Sequence, residues 1–254
     1  MMKVHPSLLI PLIITAAGWF GTACKARQGL PAKPRRWTVA LDLSASPDQA
    51  EASRWTQACE RLAAQLRPGD AVAVFGIHDN TLAAAPLFEA SSVPIRRELG
   101  FSAEAEARKR FQDLNLGLRA AVRRAFELPR AGRTRIVDLF FRVQPGRDRE
   151  LWLVLFSDMI EHSQWINLAT ESLAGREAEA ARAVARRAGL QGLNLGGRAV
   201  CVLDDQTLGE RPASVNDRRT LERFWRELFG LAGVNLVWFE SYLPTEGDLG
   251  DARH

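Results

Sequence analysis

The sequence predicts an α/β fold, a doubly wound and mostly parallel sheet flanked by helices. Three observations predict it. Apolar runs of strand length recur at residues 37–41, 71–77, 82–88, 151–156, 199–203 and 234–239. Longer stretches with apolar residues at helical spacing separate most of them, and this alternation suits helices covering a mostly parallel sheet. Two of the runs stop at oxygen-rich turns, Asp42-Leu-Ser44-Ala-Ser46 and Ser157-Asp158, and open sheets of this type bind ligands beyond the carboxyl ends of their strands.

Residues 1–23 stand apart from that pattern. Lys3, an apolar stretch over 8–20 and the small residues Gly21-Thr-Ala23 follow the order of a secretory signal. Gly21-Thr-Ala-Cys24 resembles a bacterial lipobox, which implies a lipid on Cys24, although Gly21 stands where that pattern usually has leucine. Residues 24–36 hold Pro, Gly, Ala and five basic side chains with no apolar periodicity, and are expected to form a flexible tether that anionic headgroups attract. The domain is expected over 37–243, followed by a polar tail over 244–254.

The first domain strand, Trp37 to Leu41, runs straight into Asp42, Ser44 and Ser46. A carboxylate and two hydroxyls on one tight turn suit a hard divalent cation, which takes oxygen ligands in a compact shell. Residues 47–66 read as a helix, with Trp55, Cys59, Leu62 and Leu66 on one face and Pro68-Gly69 as its stop. Two short strands follow at 71–77 and 82–88, separated by His78-Asp-Asn-Thr81. Residues 103–128 place Phe111, Leu114, Leu118, Val122 and Phe126 along one helical face.

Thr134 then follows Gly132 and opens an apolar, helix-like run to Phe141, and the strand 151–156 ends in Ser157-Asp158. The loop Met159-Ile-Glu161-His162-Ser163 lies beside that aspartate, so Glu161 and His162 are candidates for ligand contact, with a solvated loop as the plainer reading. Helices at 174–188 and 215–231 and strands at 199–203 and 234–239 complete the domain.

The order DxSxS, then threonine, then a strand ending in Ser-Asp resembles the metal-ion-dependent adhesion site of the von Willebrand factor type A domain. The resemblance spans residues 37–240. It implies that Asp42, Ser44, Ser46, Thr134 and Asp158 hold Mg2+ or Mn2+, the hydroxyls directly and the aspartates largely through water. It further implies that an acidic side chain from a partner protein completes the shell. Many members of the family have glycine where Met159 stands. The chain would then be a non-enzymatic, metal-dependent adhesion or scaffold module on the bacterial cell envelope, facing the periplasm or the cell surface.

Other functions are weighed against the same residues. The formal charge is +4 and the pI about 9.3, but six basic residues and no acidic one precede Trp37, leaving the remainder at about −2. Nucleic acid is therefore not an expected partner. A phosphotransferase of haloacid dehalogenase type would carry a second aspartate where Ser44 stands. A Ser-His-Asp hydrolase would require a histidine near Ser44 or Ser46, and only His78 and His162 lie in the domain. A metal-dependent phosphotransferase or hydrolase remains the alternative, and a structural envelope protein with a vestigial metal site a third. Cys59 and Cys201, each among apolar neighbours, are expected to be unpaired core thiols.

Overall fold

The computed structural model describes residues 33–44, 49–95, 100–144, 148–204 and 214–251. Its elements in chain order are β1 (Arg35–Asp42), α1 (Gln49–Gln65), β2 (Ala71–Ile77), β3 (Phe88–Ser91), α2 (Phe101–Ala125), α3 (Ile136–Leu139), β4 (Glu150–Phe156), α4 (Glu177–Ala188), β5 (Arg198–Val202), α5 (Arg218–Leu231), β6 (Asn235–Glu240) and α6 (Glu246–Asp251). The strands form one sheet in the order β3-β2-β1-β4-β5-β6. All neighbours are parallel except β3, which runs antiparallel to β2 at one edge. The doubly wound α/β fold expected from the sequence is present, and its strand order reverses between β1 and β4.

Strand periodicity divides the core between the two faces. Trp37, Val39 and Leu41 of β1 join Trp152, Val154 and Phe156 of β4 under α1 and α2. Ala40, Leu151, Leu153 and Leu155 point the other way, into a second cluster with α3, α4 and α5. Both faces of β1 and β4 are therefore apolar, as the near-continuous runs in the sequence require of strands buried on two sides. Cys59 and Cys201 are both free and buried, one in each cluster.

Three sequence expectations need correction. The strand expected at 82–88 lies instead at Phe88–Ser91. The segment before it turns, with the Asn80 carbonyl accepting from both Ala83 and Ala84, and Pro86 brings no N–H to a ladder. The first strand, expected from Trp37, begins sooner, because Arg35 and Arg36 already belong to β1. Arg35 packs over the rings of Trp37 and Trp152, at 5.5 and 5.1 Å, and its N–H donates to Asp70 Oδ1 at 2.7 Å. Finally, the polar tail contains α6, whose Leu249 is buried on the α1–α2 side. Among the described residues no helix is long and apolar enough to cross a membrane.

Candidate metal centre

Parallel strands send their carboxyl ends to one rim, and at that rim β1 and β4 lie side by side with Leu41 opposite Phe156. Asp42 and Ser157 therefore leave the sheet at the same level. Asp42 is only 1% exposed, and its two oxygens have separate partners. Oδ1 accepts the Ser44 N–H at 2.9 Å, bending the chain around the carboxylate, and Oδ2 accepts the Ser157 hydroxyl at 2.6 Å. Burial pushes the Asp42 pKa upward, against the Ser157 hydroxyl, the Ser44 N–H and hydroxyl, and the Arg130 guanidinium. Desolvation outweighs them, so the charge of this carboxylate is incompletely balanced by its neighbours.

Asp158 makes the matching turn on β4. Its Oδ1 accepts the Ile160 N–H at 2.8 Å, while the Met159 N–H donates to Ser157 Oγ at 3.0 Å. That geometry puts Met159 at φ 61°, a left-handed conformation unusual for a side chain of this size. The sequence position where glycine is usual in the resembled family thus keeps a glycine-like backbone here. Burial of the Met159 side chain and a 2.8 Å bond from Trp225 Nε1 to its carbonyl hold it there.

Thr134 arrives from a third segment, the loop between α2 and α3. Its neighbour Ala131 forms a bridge with Ser44 and donates to the Leu43 carbonyl at 2.9 Å. On the other side, the Thr134 carbonyl accepts the His162 N–H at 2.8 Å. The loop bearing Thr134 is thereby tied both to the Asp42 turn and to the loop after Asp158. Asp42, Ser44, Thr134 and Asp158 are all buried. Ser46 and Cys24 lie outside the described residues.

The expectation for Glu161 is corrected. Rather than sitting in a solvated loop, it is fully buried. Its Oε2 accepts the N–H groups of Ile136 and Val137, at 2.6 and 3.1 Å. Burial is the chief cause that lifts its pKa to about 8, aided by the Asp138 carboxylate and opposed by the Ser163 hydroxyl and the two N–H groups. His162 is half-buried and bridges to Asn167.

The donor set suits a hard cation. It is made of oxygen alone, two carboxylates and hydroxyls, and a hydroxyl that gives its proton to a carboxylate keeps its lone pairs for a metal. The Ser44 hydroxyl is placed to do this against Asp42. Among the described residues no cluster of three His, Cys, Asp or Glu could hold a metal, so a cation here would depend on the hydroxyls. Ser157, which the sequence marks only as the end of a strand, is the residue that braces Asp42. The signal was its place one residue beyond β4, level with Asp42 once the two strands are neighbours.

No family model matches the chain, and no curated protein matches it. Among solved structures it is similar to a von Willebrand factor type A protein from Catenulispora acidiphila, at 13% identity and TM-score 0.39, over 87% of this chain and 41% of that one. It therefore spans about two fifths of that structure's length. It is similar also to the manganese-loaded TRAP protein of Plasmodium vivax, at 14% identity and TM-score 0.40, over 86% of this chain and 71% of that one. A third similarity is to the PilB minor pilin from Streptococcus sanguinis, at 11% identity and TM-score 0.45, over 87% of this chain and 60% of that one.

Proposed function

We propose that this protein is a non-enzymatic, divalent-metal-dependent protein-binding module of the bacterial cell envelope. Asp42, Ser44, Ser46, Thr134 and Asp158 form the site for Mg2+ or Mn2+, with the hydroxyls of Ser44, Ser46 and Thr134 as direct donors and the two aspartates acting largely through water. A cation in a shell of neutral hydroxyls keeps residual positive charge and attracts an anionic oxygen, which here is an acidic side chain of a partner protein. Asp42 orients the Ser44 hydroxyl, and Ser157 orients Asp42.

The observation that supports this reading is the meeting of three separated segments at the switch between β1 and β4, with a buried carboxylate whose charge its neighbours leave incompletely balanced. Residues 1–23 act as a lipoprotein-type signal, Cys24 carries the lipid, and the basic residues after it add attraction to the membrane. The test is a pull-down from envelope extract with and without EDTA, using wild type and Asp42→Ala. Partners are expected to be lost on chelation and in the variant, and an identical bound set in all four arms would overturn the proposal. Mass spectrometry of the mature N-terminus tests the anchor, expecting an acylated Cys24 and refuted by an intact Met1.

A further inference from the structure

We propose that Glu161 is a positioning residue that sets Thr134 against Asp158, so that metal affinity at the rim depends on a side chain that does not touch the metal. The proposal rests on the metal-binding reading above. Thr134 differs from the other described members of the site in having no strand beneath it. Asp42 and Asp158 are fixed by β1 and β4, which pair directly, and Ser44 is held to Asp42 by the turn between them. Thr134 precedes only α3, a helix of four residues, and a helix that short has no stability of its own.

Part of what holds it is local, the 2.8 Å Arg135–Asp138 ion pair and the burial of Ile136, Val137 and Leu139, and that leaves its first N–H groups to be held from elsewhere. Arg135, at the N-cap position, makes no side-chain capping bond. The bonds come from Glu161, whose single Oε2 takes both the Ile136 and Val137 N–H groups. One residue later, the His162 N–H donates to the Thr134 carbonyl. The chain is thus gripped at Thr134 itself and at the second and third residues after it. Every one of these contacts comes from the loop that starts at Asp158.

That same loop is anchored at its other end to Asp42 through Ser157. Ser157 to His162 therefore forms one strap that touches all three segments of the site. Its conformation is fixed internally by the Asp158 turn and the left-handed Met159, and from outside by a bond from the Leu168 N–H to the Glu161 carbonyl. Removing the Glu161 carboxyl leaves the strap in place, and leaves α3 held at Asp138 by Arg135 and Trp165, but loosens its first turn and with it the placement of the Thr134 hydroxyl. Partners that orient metal ligands in this indirect way typically change affinity by about 10- to 100-fold.

The experiment is calorimetric titration of the purified full chain with Mn2+ alone, for wild type, Glu161→Gln, Glu161→Ala and the core variant Val184→Ala. Gln keeps an oxygen acceptor for both N–H groups and matches the neutral acid that burial favours. Expected are binding by Glu161→Gln within about threefold of wild type and a loss of about 10- to 100-fold in Glu161→Ala. Val184→Ala, which loses stability in α4 away from the rim, is expected to retain its affinity. Should Glu161→Ala not fold, Glu161→Asp, one methylene too short to reach α3, takes its place with the same expected direction of loss. Wild type that fails to bind Mn2+ overturns the metal-binding reading itself. Wild type that binds, beside a Glu161→Ala or Glu161→Asp of equal affinity, overturns the role of Glu161 alone. An equal loss in Val184→Ala would also overturn it, as an effect of stability and not of position.

Discussion

The Ser157 hydroxyl donates to the Asp42 carboxylate across the junction of β4 and β1, with Oγ 2.6 Å from Oδ2. Both residues are buried, and a hydrogen bond to a charged group contributes about 1.5–3 kcal/mol. Ser157→Ala is therefore expected to lower the unfolding free energy by about that amount in urea titrations with EDTA present. A cost below about 0.5 kcal/mol would mean that the bond does not brace the rim.

Metal removal has a thermal signature. A ligand that binds only the native state at a hundred times its Kd adds about 2.7 kcal/mol. For a domain of this size that corresponds to a rise in Tm of about 5–10 °C. Saturating Mg2+ or Mn2+ is expected to raise the Tm of wild type and to leave Asp42→Ala unmoved. Equal shifts in both proteins would place the cation elsewhere.

Glu161 gives stability a pH dependence of definite sign. Its folded-state pKa, about 8, lies above its ordinary value of 4.5, so the folded protein binds the proton more tightly than the unfolded chain. Its contribution is fully present below the ordinary value and is lost as pH rises through the folded one. Over that window wild type should lose stability more steeply than Glu161→Gln, by at most about 1.4 kcal/mol per pH unit. Parallel curves from denaturant unfolding in EDTA would contradict this.

Met159 should invert an ordinary ranking. Ala is usually the more stable replacement within regular structure, but at φ 61° a Cβ is disfavoured by about 1–2 kcal/mol. Both Met159→Ala and Met159→Gly lose the buried side chain, yet Gly is expected to be the more stable of the two by about 1–2 kcal/mol. Chemical denaturation of the pair checks the sign.

The fold was legible where the physics was one of burial. β1 and β4 are covered on both faces, so their sequences are unbroken apolar runs that end at the residues that matter. β3 was misplaced because it is a half-exposed edge strand, Phe-Glu-Ala-Ser, whose alternation is too short to stand out beside the more apolar residues 82–88. α6 is too polar to read by periodicity, although Thr245-x-x-Asp248 is the spacing of reciprocal helix capping. Asp248 Oδ2 accepts the Thr245 N–H at 2.7 Å. At the candidate site, the residues on strand ends could be read from the sequence. Glu161 could not, because a glutamate in a loop carries no mark of burial until the N–H groups it serves, distant in sequence, are known.

β1 enters the domain at Arg35 and leaves it at Asp42. Eight extended residues span about 26 Å, so the point where the chain comes in and the rim where Asp42 stands are opposite poles of the same strand. A bead, dye or fusion partner joined ahead of Lys33 would leave the Asp42 pole facing the solution. Immobilised in that way, the protein presents the end that carries Asp42 and Asp158 to whatever flows past.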